Sequence, residues 1–369
     1  MSGDVVAAEA IRVRVPFRHP IVTSVGRWSH RESWIVRLFQ AGRAVGLGEA
    51  ALDFDAGERV ADELARLVAQ AVEDARGGGR LPSAVELETA GVAGRALRCG
   101  LESALLDLRL QAAPRARGRQ SVPVNATIGF LGASGTAAAR AAVAAGFGTL
   151  KLKTGPERDS AELVERVAAV REAVGPDVRL RLDVNGAWDV ATARERIAAV
   201  AAHELEYVEQ PVAAGDPRDL AAVREGSPVP IAADESVSSV AAARELLAAG
   251  AADVLVVKPA RVGGPVAAWE IAELAAAEGV PVVISTLFET GVGLAAALAT
   301  AAGLPAVDGA TGDYAHGLAT ADLLESDLLT RSLRIVDGRM VVPEGPGLGI
   351  ALDEEALRRY AVEWLGSRP

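Results

Sequence analysis

Residues 149–185 read TLKLKTGPERDSAELVERVAAVREAVGPDVRLRLDVN. The short apolar run Thr149–Leu152 has strand character, Ser160–Ala173 is an Ala-bearing helix, and Val178–Val184 is strand-like again. A helix between two strands carries the chain back to the end of the sheet from which it started, so the strands run parallel. The rhythm extends both ways. Upstream, Pro123–Ile128 precedes Thr136–Ala145. Downstream, Ala191–Ala202 is followed by Tyr207–Val208 with Asp219–Arg224, Ile231–Ala233 with Val240–Ala248, Val254–Val257 with Val266–Ala277, and Val280–Ile284 with Gly293–Ala301. Seven such units predict an α/β fold, a modified TIM barrel of (β/α)7β type. An open doubly wound sheet is the rival. It usually has fewer units and a glycine-rich phosphate turn after its first strand, which Gly129-Phe130-Leu131-Gly132 does not supply.

The flanks lack this alternation. Val5–Val15 alternates, Trp34–Phe39 is a short strand and Ala44–Glu49 is punctuated by glycine; Phe17–His30 reads as a loop that covers the pocket. Helical spacing begins at Ala61, breaks at Gly77–Gly79 and Pro82, and resumes over Val92–Ala112. Residues 1–122 are therefore expected to form an α+β capping domain, and 123–330 the barrel. In residues 331–369, Leu333–Val336 and Met340–Val342 flank Asp337-Gly338 as a hairpin. A helix over Glu354–Trp364 follows, and this segment is expected to return to the capping domain.

The chain has 369 residues and a formal net charge of −11, which argues against a nucleic-acid partner. The start lacks the basic and apolar blocks of a signal peptide, and no run reaches the ~18 apolar residues of a membrane span. The expectation is a cytoplasmic protein without a membrane partner. Nothing visible sets an oligomeric state, and a homo-oligomer is compatible with the sequence. The one cysteine, Cys99, excludes an intrachain disulfide and a four-thiolate zinc site. Of 38 Lys plus Arg residues only Lys151, Lys153 and Lys258 are lysine, and all three end apolar strand-like runs. Arginine stays protonated, whereas lysine can give up its proton when desolvated or set beside other cations. The three lysines thus sit where arginine would not serve, if the positions are chemical; chance survival on the surface is the alternative.

In a parallel barrel the working groups lie at the carboxyl ends of the strands. Here successive strands end on Lys151-Leu152-Lys153, Asp183-Val184-Asn185, Glu209-Gln210-Pro211, Asp234-Glu235, Lys258 and Ser285-Thr286. Strand side chains alternate, so Lys151 and Lys153 share a face, as do Asp183 and Asn185. Asp183, Glu209 and Asp234 would converge as an all-oxygen set suited to a hard divalent cation, Mg²⁺ or Mn²⁺. Zinc is disfavoured because no His or Cys joins them. A cation on a substrate carboxylate neutralises the charge that grows when the α-proton leaves, and a lysine near a second lysine and a metal can serve as the base. Lys153 suits that role. Lys258, from the far side, is a second acid/base or a stabilising cation. The partner is then a small carboxylate. A buried salt-bridge network, or a barrel that merely binds metal and carboxylate, is the non-catalytic alternative.

The set Lys151-x-Lys153, Asp183-x-Asn185, Glu209-x-Pro211, Asp234-Glu235 and Lys258 with Gly263-Gly264 resembles the enolase superfamily, specifically its muconate-lactonizing subgroup. That resemblance implies Mg²⁺ on Asp183, Glu209 and Asp234, with Asn185 and Glu235 in support, and proton transfer by Lys153 or Lys258. The stretches 16–26, Arg31-Glu32, Gly46–Ala50, Ser285–Gly293, Ala315–Thr320 and Leu333–Val342 are most similar to o-succinylbenzoate synthases. Such an enzyme dehydrates a cyclohexadiene carboxylate to an aromatic product through a metal-stabilised enolate, a step of menaquinone biosynthesis. Thr23, Ser24, Ser285, Thr286, Phe288 and Glu289 are the candidate substrate contacts. N-succinylamino acid racemase, dipeptide epimerase and muconate cycloisomerase share the same site residues. The epimerases' Asp-x-Asp is matched here by Asp313-Tyr314-Ala315, without the second aspartate. His316 is the only candidate for a late-barrel histidine base, and Arg261 is read as structural.

Overall fold

The structure, a computed structural model, describes residues 5–23, 26–41, 45–76, 79–112, 119–130, 133–154, 159–307 and 313–366. It opens with strands β1 (Val5–Thr23), β2 (Gly26–Gln40) and β3 (Val45–Ala51), then helices α1 (Glu58–Asp74), α2 (Ala84–Thr89) and α3 (Gly91–Ala112). A short β4 (Ser121–Pro123) leads into the repeating part. This comprises β5 (Ala126–Phe130), α4 (Ala133–Ala144), β6 (Thr149–Lys153), α5 (Ser160–Val174), β7 (Arg179–Asp183), α6 (Val190–Val200), β8 (Leu205–Glu209) and α7 (Pro217–Arg224). It continues with β9 (Ile231–Ala233), α8 (Val240–Ala248), β10 (Val254–Val257), α9 (Pro259–Val262), α10 (Pro265–Ala277), β11 (Val282–Ile284) and α11 (Gly291–Ala302). The chain finishes with β12 (Ile335–Val336), β13 (Arg339–Val341), α12 (Glu354–Tyr360) and β14 (Ala361–Gly366).

β5 to β11 form one seven-stranded parallel sheet in sequence order. Residues 315–317 supply the eighth position: Gly317 bridges Ser285 and His316 bridges Val124, both in parallel, so the sheet closes on itself. The turns from strand to helix are set locally. Asp159, Asp189, Asp216 and Ser239 each cap the helix that follows with a side-chain oxygen on a free N–H. Alternation then sorts the strands' side chains. Leu150, Leu152, Leu180, Leu182, Val208, Ile231, Leu255, Val257 and Ile284 pack outward into the main core. Tyr207, Ala232, Val254, Val256 and Val283 pack together as a separate cluster inside the barrel. The charged strand ends continue the inward set, so the folding pattern itself aims them at one another.

The N-terminal sheet runs β14-β1-β2-β3, all antiparallel, with α3 packed across β3. Two expectations are corrected. Phe17–His30 is not a free loop. Its described residues are the ends of β1 and β2, paired Ile21↔Trp28, Val22↔Arg27 and Thr23↔Gly26, and the register slips between Pro16 and Ile21, where Pro16 and Pro20 lack an N–H to give the ladder. The last helix stops at Tyr360 rather than Trp364. Ala361–Gly366 instead forms the edge strand against β1, where the Arg37 guanidinium lies over the Trp364 ring at 5.8 Å. The hairpin β12–β13 pairs with β4, beneath the barrel's first strand. No helix among the described residues is long and apolar enough to cross a membrane.

Candidate active site

The inward-facing ends of β6 to β10 bring the predicted residues together. Lys151 and Lys153 both reach Asp183 Oδ2, at 2.7 and 2.6 Å. Lys151 Nζ also donates to Glu209 Oε1 at 2.7 Å, and Lys153 Nζ to Asn185 Oδ1 at 2.8 Å. Asn185, at φ 50°, turns its Nδ2 to Glu235 Oε1 at 3.0 Å and its backbone N–H to Asp183 Oδ1 at 3.1 Å. On the other side Lys258 Nζ meets Asp234 Oδ2 at 2.7 Å. Asp183, Glu209 and Asp234 are buried. Lys153 is the more open amine of its pair, 30% exposed against 12% for Lys151, so it is the one a substrate can reach.

The charges follow from this packing. Burial disfavours the ionised Asp183, but the two flanking ammoniums outweigh it and hold the carboxyl at about 2. Burial likewise opposes the charge on Asp234, and Lys258 and Arg261 overcome it, so the carboxyl lies well below the ordinary range. Glu209 is pushed up to about 8 by burial, with Asp183 and Asp234 adding to the rise against Lys151. Burial also works against the Lys151 ammonium, yet Asp183 and Glu209 raise it well above its usual value, and it stays charged.

Of the expected oxygen trio, Asp183 and Glu209 share the Lys151 amine, while Asp234 bonds Lys258 and Arg261. Among the described residues no three His, Cys, Asp or Glu side chains stand ready to hold one ion. The reason is visible at Lys151, whose ammonium lies between Asp183 and Glu209. The donor set nevertheless fits a hard divalent cation. It consists of carboxylate oxygens from three neighbouring strands, and Glu209 Oε2 and Glu235 Oε2 are buried without a hydrogen-bond partner.

Three features escaped the sequence reading. Arg261 clamps Asp234 Oδ1 at 2.8 Å while holding both oxygens of Asp53, from the N-terminal part, at 3.0 Å. Gln210, at φ 40°, accepts the Asp234 and Ser236 N–H groups on Oε1. Scarcity would not have found Arg261, because all but three of the 38 basic residues are arginine; only the fold juxtaposes it with Asp53, and Gln210 with the Asp234 backbone. Glu49 is the third: it accepts hydrogen bonds from Thr290 and Gly293 at the start of α11.

The remaining candidates separate. Ser285 and Thr286 end the β11 segment, Ser285 3.5 Å from Gly317 O and Thr286 3.3 Å from the Thr320 hydroxyl. Phe288 joins Phe17 and Phe54, with Trp28 stacked on Phe54 at 5.0 Å. Glu289 is buried in the seam with the N-terminal sheet, pushed up to about 7 by burial and the Glu49 charge. Ser24 and the Thr23 side chain lie outside the described residues. His316 is no base: burial takes it down to about 3, and its Nδ1 accepts the Ile284 N–H at 3.0 Å. Asp313 precedes the eighth strand and pairs with Arg119 at 3.2 Å, so Asp313-Tyr314-Ala315 does not sit at a strand's carboxyl end.

A model of the enolase C-terminal domain-like family matches residues 135–356. The chain is 46% identical over 226 residues to the o-succinylbenzoate synthase of Thermobifida fusca, covering 61% of this chain and 67% of that one. It is 36% identical over 273 residues to the o-succinylbenzoate synthase of Mycobacterium tuberculosis, covering 73% and 77%. Among solved structures, the muconate lactonizing enzyme from Pseudomonas fluorescens complexed with muconolactone superposes with a TM-score of 0.82 at 26% identity, over 98% of this chain and 100% of that one. A family match over more than half its length, joined to relatives this similar over most of theirs, places the chain in the enolase superfamily, to which it belongs.

Proposed function

We propose that the chain is an o-succinylbenzoate synthase-type lyase, which removes water from a cyclohexadiene carboxylate to leave an aromatic ring, the reaction that serves menaquinone synthesis. The observation that carries this reading is the likeness to two o-succinylbenzoate synthases, 46% and 36% identical. The site is compatible with it: Lys153 bonds Asp183 and Lys258 bonds Asp234. In this reading 1–122 caps the 123–330 barrel; of 331–369, α12 and β14 return to the cap, while the hairpin β12–β13 stays with β4 at the barrel.

Asp183, Glu209 and Asp234 would hold Mg²⁺, or Mn²⁺ in its place, with Asn185 and Glu235 behind them. When bound, the ion supplies a positive charge that offsets the negative charge building on the substrate carboxylate. Lys153 takes the α-proton, and the electrons of the broken C–H bond pass toward the carboxylate. As they return, the C–O bond to the hydroxyl breaks, and the Lys153 ammonium gives its proton to the departing oxygen. Water leaves and the amine is restored. Lys258, held by Asp234 on the opposite side, faces the developing anion as a cation.

Racemization of N-succinylamino acids is the second reading, and one observation favours it: two lysines approach from different strands, as removal of a proton from one face and its return to the other require. Muconate cycloisomerization and dipeptide epimerization would use the same residues. Assay with Mg²⁺ of the cyclohexadiene substrate against N-succinylamino acids in D₂O ranks these readings. Fast dehydration with slow racemization is expected, and the reverse would put racemization first. Lys153→Ala should lower dehydration by ~10²–10⁴-fold in a chain with unchanged circular dichroism. Activity within tenfold of the wild type in that variant would remove Lys153 as the base, and no α-proton exchange with any of these substrates would leave a non-catalytic barrel.

A further inference from the structure

Glu49 lies within the buried run of β3 in the N-terminal sheet, yet its carboxylate takes three hydrogen bonds from the barrel. Oε1 accepts the Thr290 N–H at 3.1 Å, and Oε2 accepts the Thr290 hydroxyl at 2.6 Å and the Gly293 N–H at 2.9 Å. Ser33, on neighbouring β2, donates to Oε1 at 2.6 Å and fixes the carboxylate from its own side. Glu49, Ser33 and Thr290 are all buried. Thr290 caps α11, and the Thr290 and Gly293 N–H groups belong to the turn where a helix leaves its donors unsatisfied. The helix is shaped to receive the carboxylate. A Cβ at Gly293 would lie 2.6 Å from Glu289 Cβ and 3.0 Å from Glu49 Oε2, so any side chain there would press on the loop and crowd the carboxylate.

The consequence runs backward along the chain. Between the end of β11 and Thr290 lie Ser285, Thr286, Leu287, Phe288 and Glu289. Phe288 is a non-glycine residue at φ 62°, a conformation that costs ~1–3 kcal/mol and persists only where its surroundings fix it. One neighbour doing so is Glu289, whose carboxylate turns back onto the Leu287 N–H. The other is the anchored Thr290. Phe288 is thereby set against Phe17 and Phe54, and Ser285 and Thr286 are set at the strand end.

We propose that Glu49 is a positioning residue: it touches no reacting group, and by anchoring Thr290 it holds the 285–289 loop in the shape that receives substrate. The claim rests on the proposed lyase reading only for its kinetic part. Its structural part is read without substrate, by hydrogen–deuterium exchange across 285–294. Thr290→Val, which removes the hydroxyl alone, should speed exchange there, raise KM for the cyclohexadiene carboxylate about tenfold and leave kcat within about threefold. Thr290→Ser, which keeps the hydroxyl, should match the wild type in both. Glu49→Gln, if it folds, should exceed Thr290→Val in both. Unchanged exchange in Thr290→Val overturns the anchor. Faster exchange with KM unchanged, or with kcat alone reduced, overturns the positioning role. A wild type inactive on this substrate, with exchange altered as stated, sinks the lyase reading and leaves the anchor standing, and KM is then read with N-succinylamino acids.

Discussion

A single oxygen, Asp183 Oδ2, receives both Lys151 and Lys153. The two amines share this acceptor beside a second buried carboxylate, Glu209, which takes the other bond of Lys151. His316 shows the opposite outcome of burial. Among the described residues no carboxylate offsets its burial, Arg181 and Arg119 add to its desolvation, and its ring stays neutral as an acceptor for the Ile284 N–H at the barrel's closing seam. The folded pKa of about 3 lies below the ordinary 6.5, so between those values the unfolded chain binds a proton that the folded chain refuses. His316 therefore subtracts stability as the pH falls from 6.5 toward 3, by about 2 kcal/mol at pH 5. His316→Asn offers an acceptor that does not titrate. Urea unfolding at pH 7 and pH 5 should show the variant losing about 2 kcal/mol less than the wild type over that step. An equal loss in both would mean that His316 is protonated in the fold.

At the scale of elements, the short helix α9 decides how Lys258 is presented. Lys258 is its N-cap, and Pro259 supplies a preset first turn. Gly263 and Gly264, at φ 103° and 119°, stop the helix and turn the chain into α10. The positive φ at Gly264 requires glycine, and a Cβ there would also crowd α3, 3.2 Å from the Cys99 Cα and 2.6 Å from the movable Glu102 Oε2. Gly264→Ala should cost ~2–3 kcal/mol in urea unfolding, with loss of activity as the Lys258 turn shifts. A variant as stable as the wild type would mean that α3 yields there. What the sequence made legible divides along the same line. Strand–helix alternation and the residues at strand ends depend on periods of 2 and 3.6, so β5–β11 and the lysine–carboxylate set could be read directly. The Asp53–Arg261 clamp joins residues 208 positions apart, and no local period encodes such a pairing. Trp364 and Val362 gave a helix-like reading because the edge strand β14 is largely exposed, and the alternation that marks a half-buried strand is weak there.

For the whole molecule, the two parts meet through carboxylates offered by one and N–H groups or cations received by the other. Glu49 is set on α11, Glu102 accepts the Val266 N–H at 3.1 Å at the start of α10, and Asp53 is set on Arg261. Arg37 ties the returning tail into the same body, bridging Glu9 at 2.9 Å and Glu354 at 2.8 Å. With a net charge of −11 and Asp183, Glu209 and Asp234 buried at the carboxyl ends of successive barrel strands, the field there favours a cation. If, as proposed, Asp183, Glu209 and Asp234 hold a divalent ion in the folded chain alone, the ion must stabilise the fold by mass action. At a hundredfold excess over its Kd the gain is ~2.7 kcal/mol. For 369 residues the unfolding entropy is ~0.8 kcal/mol/K, and Tm should rise by ~3–4 °C with Mg²⁺, and similarly with Mn²⁺. Glu209→Gln removes the carboxylate that carries the unpaired oxygen and should abolish the rise while keeping the fold. Scanning calorimetry with and without the ion reads both, and a wild type indifferent to Mg²⁺, or a variant that gains as much, would remove these three residues as the metal's holders.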